Sequence, residues 1–337
     1  MEPRMRRQSK KAHVRLLACV LVAIVLMGTR SLQAQEPAPL TKVTLLPQWL
    51  PQAQFAGYYM AVEKGFYKQH GLDVTVLDGG PRKSVAPALR SGEATFATQF
   101  LSTALAMRDE GLPLVHLAQV TQRSALMLVA HKSHGIHSVK DLDGKKVGLW
   151  KDFSAQPMAL FRKCNLRVRT IAQGPMINLF MRGGVDAASA MWYNEYHLFL
   201  NSGLNEDEVT LIFYDQHDLN FPEDSILCLD ETWRTRPEVC HQFVRASLKG
   251  WQYVIEHQEE SLRVVMQRTG QARTGTNRAH QRWMLQCMCD LIKPVKPATR
   301  MGELTQEAYE RVVCELKNND QIRLAPAFEE FHVPIHP

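Results

Sequence analysis

The sequence predicts an α/β protein of two lobes with a ligand cleft and a hinge between them. From Thr41 to about Phe213, short apolar strands alternate with helical segments, a pattern typical of mostly parallel sheets with helices on both faces. Beyond Asp230 the pattern is helical. We expect the chain to cross between lobes near 121–124 and to return near 220–226. Residues 40–122 and 226–337 would then form lobe one, and residues 123–225 would form lobe two.

The first βαβ unit shows the alternation most clearly. Val43 and Leu45 alternate with Thr44, and the apolar residues of 72–76 alternate with polar ones, which predicts two half-buried strands around a helix. Ligands of open α/β sheets bind beyond the carboxyl ends of the strands. The loop that begins at Trp49 is therefore a candidate ligand site.

The later elements follow from the same two periodicities. Further strands are predicted at Thr95–Thr98, Leu114–Val120, Leu126–Ala130, Lys146–Trp150, Val168–Ala172, Asp186–Met191 and Thr210–Phe213. Helices are predicted before Leu89 and at Leu101–Asp109, Pro157–Lys163, Ile177–Met181, Tyr193–Leu200, Pro237–His257, Glu259–Gln267, His280–Leu291 and Gln306–Lys317.

The N-terminus has the composition of a secretory signal peptide. Basic residues precede an uncharged run from Leu16 to Met27, and a short segment of small and polar residues ends at Ala34, as in signal peptides. A bilayer span needs roughly 20 apolar residues, more than this run contains. We expect residues 1–34 to be cleaved near Ala34 and the mature chain to be periplasmic. Cys19 lies at the start of the apolar run, which favours its removal with the signal over lipid attachment.

The net charge of +6 resides in this predicted signal. Residues 1–34 hold seven of the 40 Lys and Arg but one of the 34 Asp and Glu, so the remaining chain carries equal numbers of each. A chain without net charge lacks the basic surface that nucleic-acid binding requires. We therefore expect no nucleic-acid partner.

Six cysteines follow residue 34, and an even number in an oxidising compartment permits disulfides. They are Cys164, Cys228, Cys240, Cys287, Cys289 and Cys314. Six thiols allow 15 pairings. Cys228 with Cys240 is the pairing that the sequence favours, and free thiols remain an equal alternative.

Candidate ligand residues of lobe one combine ring faces with amide donors and acceptors. They lie in the loop after the first strand and at the end of the strand near Thr98, and comprise Trp49, Gln52, Gln54, Phe55, Tyr58, Thr98 and Gln99. A core position is an equal alternative for Phe55.

Candidate residues of lobe two also follow strands. Trp150 ends one predicted strand, and Trp192, Tyr193, Asn194 and Glu195 follow another. A carboxylate of Glu195, or of Asp224 on the return crossing, could accept a charge-assisted hydrogen bond from a ring amino group. For Glu195, stabilisation of a helix N-terminus is an equal alternative.

Other motifs favour plain structural roles. The segment Gly79-Gly80-Pro81-Arg82-Lys83-Ser84 could seat an anion at a helix start, but it lacks the Walker spacing. His131, His134 and His137 fall in a polar stretch before a helix, without a nearby cluster of cysteines or acids that would suggest a metal centre, so we expect no metal. No nucleophile elbow or zinc-protease motif occurs in the sequence, and we expect neither a cofactor nor an enzyme.

Four stretches of the chain resemble a known family. WLPQAQFAGYYMAVEKGFYKQHGLDV, the Gly79-Gly80-Pro81 turn, LRSGEATFATQF, and MWYNEYHLFLNSGLN through LNFPEDSILCLDETW are similar to periplasmic substrate-binding proteins of ABC importers. Within these, they resemble the binding proteins for thiamine-pyrimidine precursors and the fungal-type pyrimidine synthase. The resemblance covers roughly residues 42 to 265.

The resemblance implies a type II periplasmic-binding-protein fold and a receptor that delivers its ligand to a membrane permease. It also implies a heteroaromatic ligand of the hydroxymethylpyrimidine type, stacked on aromatic side chains between the lobes, and a thiamine-related role. We expect a monomer. A receptor for a sulfonate or nitrate anion, using Arg82 and Lys83, is the alternative ligand class. The synthase alternative is an enzyme with a cysteine-rich run, which this sequence lacks.

Overall fold

The computed structural model describes residues 39–294 and 300–335. The predicted signal peptide, residues 1–34, lies outside these ranges. The described strands form two five-stranded sheets, which gives the two-lobed α/β architecture. In chain order the strands are β1 (Thr41–Leu46), β2 (Leu72–Val76), β3 (Phe96–Phe100), β4 (Leu114–Gln119), β5 (Leu126–His131), β6 (Lys146–Leu149), β7 (Arg169–Ala172), β8 (Ala187–Met191), β9 (Val209–Phe213) and β10 (Asp224–Leu229).

The first sheet has the strand order β2-β1-β3-β10-β4. Strand β1 pairs in parallel with β2 and β3, whereas β10 pairs antiparallel with both β3 and β4. Four of its five strands therefore run in one direction. Their alternating apolar residues, such as Val43 and Leu45, face the buried side, as the sequence predicts.

The second sheet repeats this plan with the strand order β7-β6-β8-β5-β9. Strand β6 is parallel to β7 and β8, and β5 is antiparallel to β8 and β9. In each sheet the reversed strand is the one that directly follows a passage of the chain from the other sheet. The passages lie between β4 and β5 and between β9 and β10.

Helices cover both sheets. In chain order they are α1 (Ala56–Glu63), α2 (Phe66–Gln69), α3 (Val85–Ser91), α4 (Leu101–Asp109), α5 (Ala155–Lys163), α6 (Asn178–Met181), α7 (Glu195–Asn201), α8 (Asp230–Thr235), α9 (Pro237–Glu256), α10 (Gln258–Gln271), α11 (Arg278–Ile292), α12 (Gln306–Asn318) and α13 (Phe328–Phe331). Within the described ranges, no helix combines the length and the apolar character that a membrane crossing requires.

Apolar residues at helical spacing explain why α9 packs on the first lobe. Cys240, Phe243, Val244 and Trp251 are buried, and the Phe243 ring stacks on Phe96 of β3 at 4.0 Å between centroids. Burial of this stripe stabilises the helix more than its intrinsic propensity does. The C-terminal helices thus pack back onto the sheet with which the chain begins.

The predicted fold class is confirmed, and most elements differ from prediction by a few residues at their ends. Helix Leu101–Asp109 has the predicted bounds. Strand β10 and helix α13 were not predicted as elements. The residue boundaries of the two lobes stay a prediction, and Asp224 and Ser225 pair in the first sheet.

Candidate functional site

A cavity lies between the two lobes, at the ends of β3 and β6. The first lobe contributes Phe100 and Ser102, and the return passage contributes Phe221, Pro222 and Glu223. The second lobe contributes Leu126, Asp152, Phe153, Ala155 and Gln156. The cavity therefore has walls from both sheets and from the connection between them, which is where small ligands commonly bind.

Aromatic rings from the two lobes meet in this cavity. Phe100, at the end of β3, lies 5.0 Å from Phe153, which follows β6, measured between ring centroids. Trp150 contacts Phe153 edge to face at 6.2 Å. These rings offer faces and edges to a flat ligand.

Asp224 joins the cleft to the loop after β1. One carboxylate oxygen accepts a hydrogen bond from the Gln48 side-chain amide, and the other accepts from Gln54 Nε2 at 2.9 Å. Gln54 Oε1 in turn accepts from Gln52 Nε2 at 2.7 Å. Because Gln52, Gln54 and Asp224 are all buried, this network fixes the shape of the loop.

Glu223 accepts hydrogen bonds from the second lobe, whereas Asp224 accepts them from the first. Its Oε1 accepts from the backbone amides of Ala125 at 2.6 Å and Leu126 at 3.1 Å, and from the Ser124 hydroxyl at 3.2 Å. Ser124 and Ala125 directly precede β5, and Leu126 is its first residue. Glu223 thus ties the return passage to the outward one while it lines the cavity.

A third buried carboxyl, Glu195, comes from the second lobe. Its Oε2 accepts from the Met191 amide at 3.0 Å, and its Oε1 accepts from Asn194 Nδ2 at 2.8 Å. Burial raises the pKa of Tyr193, and the negative charges of Glu223, Asp224 and Glu195 raise it further. Tyr193 therefore lies within electrostatic reach of all three carboxyl groups.

These carboxyl groups are poised to hold protons near neutral pH. Burial raises the pKa of Glu195 to about 6. Burial, with the neighbouring Asp224 charge, raises the pKa of Glu223 to about 8. Burial raises the pKa of Asp224 to about 7. Within residues 39–294 and 300–335, no Lys or Arg forms a salt bridge with any of them.

The other predicted residues of lobe one are buried or half-buried in the same lobe as the Gln52–Gln54–Asp224 network. The Thr98 hydroxyl is buried and accepts a hydrogen bond from the backbone amide of Gln48 at 3.1 Å. Gln99 is half-buried and lies opposite Ser225 in the pairing of β3 with β10. Trp49 is half-buried against the core. Phe55 is fully buried.

Tyr58 packs into the core of the first lobe. Its ring lies edge to face with Trp251, 6.0 Å between centroids, and its hydroxyl is buried without a hydrogen-bond partner among the described residues. Burial and the nearby Asp224 charge raise its pKa. The Tyr58 ring is thus a core group whose hydroxyl faces the acidic side of the site.

In the second lobe, the predicted tryptophans have separate surroundings. Trp150 donates from Nε1 to Gly174 O at 3.1 Å, beside the cavity-lining Phe153. Trp192 contacts Phe213 and Trp283 edge to face, at 6.1 and 6.4 Å. Trp150 therefore lies nearer the cavity wall, and Trp192 lies under helix α11.

Residues of the anion motif, the histidine motif and the predicted disulfide contact other protein groups. Lys83 pairs with Glu93 at 2.9 Å on the surface, and Arg82 is exposed. His134 pairs with Asp186 at 2.8 Å, and the His131 ring stacks on Phe180. Cys228 and Cys240, the predicted disulfide pair, are free thiols here. Their side chains form a hydrogen bond with each other.

Several site residues escaped prediction. Gln48, Phe100 and Phe153 directly adjoin predicted positions or strand ends, so strand-end position was the available signal. His280 and Trp283 contact the segment 192–197 from helix α11. Their spacing is that of an ordinary packed helix, and the sequence carries no sign of this contact.

Residues 52–261 match the model of the family described as NMT1/THI5 like. The match spans well over half of the chain. It includes the loop after β1 from Gln52 onward, both passages between the sheets, and the three carboxyl groups.

Two relatives align over most of the chain. The riboflavin-binding protein RibY of Chloroflexus aurantiacus is 26% identical over 255 residues, covering 71% of each chain. The formylaminopyrimidine-binding protein of Halalkalibacterium halodurans is 22% identical over 319 residues, covering 91% of this chain and 94% of the relative. The 4-amino-5-hydroxymethyl-2-methylpyrimidine phosphate synthase of Schizosaccharomyces pombe is 24% identical over 112 residues, about a third of each chain.

Solved structures show the same fold. The periplasmic aliphatic sulphonate binding protein SsuA of Escherichia coli superposes with a TM-score of 0.68 at 14% identity, covering 86% of this chain and 91% of that protein. At this identity the likeness concerns the fold alone. It agrees with two mixed sheets separated by a cleft.

Proposed function

The chain belongs to the NMT1/THI5-like family, and on this premise we propose that it is the extracytoplasmic solute-binding component of an ABC importer. The ligand we propose is a small heteroaromatic nutrient of the hydroxymethylpyrimidine type. The two lobes close over this ligand, and the closed form is presented to a membrane permease.

The observation that carries the ligand class is the combination of ring faces with buried carboxyl groups that lack a cationic partner. Phe100 and Phe153 supply adjacent rings, one from each lobe. An aminopyrimidine presents an amino group beside a ring nitrogen, so it can donate to a carboxylate and share a proton with it. Asp224, which adjoins the cavity-lining Glu223 and has a pKa of about 7, is suited to that exchange.

The same observation disfavours the anionic alternative. No Lys or Arg lines the cavity as described, whereas Asp152 and Glu223 do. A sulfonate would meet like charge or unpaired carboxyls, which weakens binding. Lys83, one of the cations considered for an anion, already pairs with Glu93.

A binding role is also favoured over catalysis. The relatives that align over most of the chain are named as binding proteins, and the synthase aligns over about a third of it. The cysteine-rich run expected of the synthase does not occur in the sequence.

Calorimetry and thermal unfolding of the chain from residue 35 onward test the proposal. We expect saturable binding of 4-amino-5-hydroxymethyl-2-methylpyrimidine at pH 7, with stabilisation of about 2.7 kcal/mol at a hundredfold excess over Kd. Ethanesulfonate should give neither effect. Stabilisation by ethanesulfonate or riboflavin alone would contradict the ligand class, and binding of none of the three would contradict the proposed function.

A pair of variants at the two ends of β10 assigns the site. Asp224→Asn should lower aminopyrimidine affinity by about tenfold or more, because charge-assisted hydrogen bonds contribute about 1.5–3 kcal/mol. Asp230→Asn, just beyond the other end of β10 and paired with Arg234, is the matched control and should bind as the wild type does. Equal affinities of all three proteins would place the ligand elsewhere.

A further inference from the structure

We propose that helix α11 positions both walls of the ligand cleft and holds them in the arrangement that this structure shows. Three side chains that do not line the cavity do this: His280, Gln281 and Trp283. The inference deepens the proposed function, since the positioned segments are those expected to contact the ligand. Its main test nevertheless needs no ligand.

Gln281 holds the wall of the first lobe. Its Oε1 accepts from the Ala53 amide at 2.7 Å, and its Nε2 donates to the Thr276 hydroxyl at 2.9 Å. Ala53 lies between Gln52 and Gln54, whose side chains lead to Asp224. The Gln281 side chain is almost fully buried, so its loss would leave an unpaired amide beneath the loop.

His280 and Trp283 hold the wall of the second lobe. His280 Nε2 lies 2.9 Å from Asn194 Oδ1, and Trp283 Nε1 donates to the Trp192 carbonyl at 3.0 Å. Asn194 Nδ2 in turn donates to Glu195. A continuous chain of hydrogen bonds thus runs from α11 to a buried carboxyl of the site.

The hydrogen-bonding groups define the state of His280. Asn194 Oδ1 can only accept, so His280 Nε2 carries a proton and donates. His280 Nδ1 lies 2.9 Å from His197 Nδ1, which is itself 3.0 Å from Asn201 Nδ2. Burial and the neighbouring His197 lower the pKa of His280 to about 4, in agreement with a neutral ring.

The other end of α11 meets the outward passage between the sheets. Leu291 O accepts from the Gln122 amide at 2.9 Å, and Asp290 O accepts from Arg123 Nη2 at 2.9 Å. A helix of 15 residues spans about 22 Å, so α11 extends from the passage to the far wall. Rotation about the passages would break the contacts with Trp192 and Asn194 and preserve those with Gln122 and Arg123.

Hydrogen–deuterium exchange of the ligand-free chain tests this role. We expect His280→Ala to raise exchange in 192–197 by about tenfold, the effect of losing hydrogen bonds worth about 1.4 kcal/mol. Gln286→Ala, at an exposed position of the same helix, should leave exchange unchanged. His280→Gln should restore most of the protection, because its amide can still donate to Asn194. Wild-type exchange in His280→Ala would overturn the proposal, as would failure of His280→Gln to restore protection.

Binding kinetics provide the second readout. With 4-amino-5-hydroxymethyl-2-methylpyrimidine as probe, His280→Ala and Trp283→Phe should each raise the dissociation rate about tenfold and leave the association rate within about twofold. An unchanged dissociation rate would overturn the positioning role. If the wild type binds no aminopyrimidine while exchange still rises in His280→Ala, the ligand assignment fails and the positioning role of α11 stands.

Discussion

Glu223 and Asp224 are neighbours in sequence that serve opposite sides of the cleft. Successive residues of an extended strand point in opposite directions. Asp224 therefore reaches Gln48 and Gln54 after β1, and Glu223 reaches the first amides of β5. Two adjacent residues thereby connect the loop after β1 in one lobe with the start of β5 in the other.

The ring of Phe153 should contribute to ligand affinity. It lines the cavity and contacts the Phe100 ring of the other lobe, 5.0 Å between centroids. We expect Phe153→Ala to weaken aminopyrimidine binding about tenfold, since stacking adds about 0.5–1.5 kcal/mol to the effect of area burial. Isothermal calorimetry measures the change.

The control for Phe153 is Phe66→Ala. Phe66 is also partly buried and also contacts a ring, that of Tyr253, but it does not line the cavity. Its removal should lower stability and leave affinity intact. Full affinity in Phe153→Ala would show that the ligand does not stack on this wall.

At the scale of elements, the first lobe depends on a close approach of α1 and α9. A methyl group on Gly57 would lie 2.3 Å from the Trp251 ring, and one on Gly250 would lie 2.1 Å from the Gly57 carbonyl. Neither the ring nor the backbone can move away easily in a packed core. The two glycines therefore set the distance between the helix that follows the ligand loop and the helix behind it.

Gly57→Ala should destabilise the protein by about 2–3 kcal/mol, since overpacking forces side chains and backbone to shift. Urea unfolding monitored by tryptophan fluorescence measures this loss. Gly270→Ala, where nothing lies within 4 Å of the added methyl group, is the matched control. We expect it to be neutral or stabilising by up to about 1 kcal/mol, because alanine favours helix. Equal stability of the two variants would refute the close-packing argument.

The same scale explains what the sequence could predict. Helices and strands with a clear period, such as α4 and α9, were predicted closely because local burial decides them. Strand β10 was missed because its six residues are nearly all buried, which removes the alternation that marks a strand. Its insertion between β3 and β4 depends on pairings across more than a hundred residues.

The candidate site likewise contains residues that a local pattern predicts and residues that it does not. Gln54 and Glu195 were predicted because they follow strands, where ligands of α/β proteins bind, and Asp224 was predicted because it lies on the expected return crossing. The contact of His280 with Asn194 joins residues 86 apart in sequence. No local pattern encodes it, since it results from how α11 crosses the cleft.

At the scale of the whole molecule, the two passages form one hydrogen-bonded unit. Asn220 accepts from the Ser124 amide at 2.8 Å and donates to Gln122 O at 3.1 Å. The buried side-chain amide of Gln119 donates through Nε2 to the backbone carbonyls of Thr121, Glu223 and Asp224. We expect movement of the lobes to rotate about this unit, so that the charges around it affect both lobes.

Buried histidines should weaken the fold as the pH falls. His332 contacts His116 at 2.9 Å where the C-terminal segment meets β4. Burial lowers the pKa of His332 to about 4 and also lowers that of His116. A histidine with a lowered folded pKa gives full stability above the unfolded value of about 6.5. That stability is lost as the pH falls from about 6.5 to about 4.

The buried carboxyls have the opposite effect. The pKa of Glu223 is raised to about 8 and that of Asp224 to about 7. An acid with a raised folded pKa favours the fold fully below its unfolded value, near 4, because the folded state keeps the proton. Stability is lost as the pH rises through the folded value. For Glu223 the loss by pH 8 is on the order of 3 kcal/mol, since one pKa unit corresponds to about 1.4 kcal/mol and water entry reduces the full value.

The ligand-free protein should consequently be most stable between about pH 5 and 6.5 and lose stability on both sides. Urea unfolding from pH 4 to 9 measures the profile. Glu223→Gln keeps the acceptor for Ala125 and should flatten the alkaline side, whereas His332→Asn should flatten the acid side. Exposed Glu231→Gln and His137→Asn are controls that should keep the wild-type profile. If the stability of Glu223→Gln still declined above pH 6.5 as in the wild type, the Glu223 carboxyl would have an ordinary pKa, and another group would cause the decline.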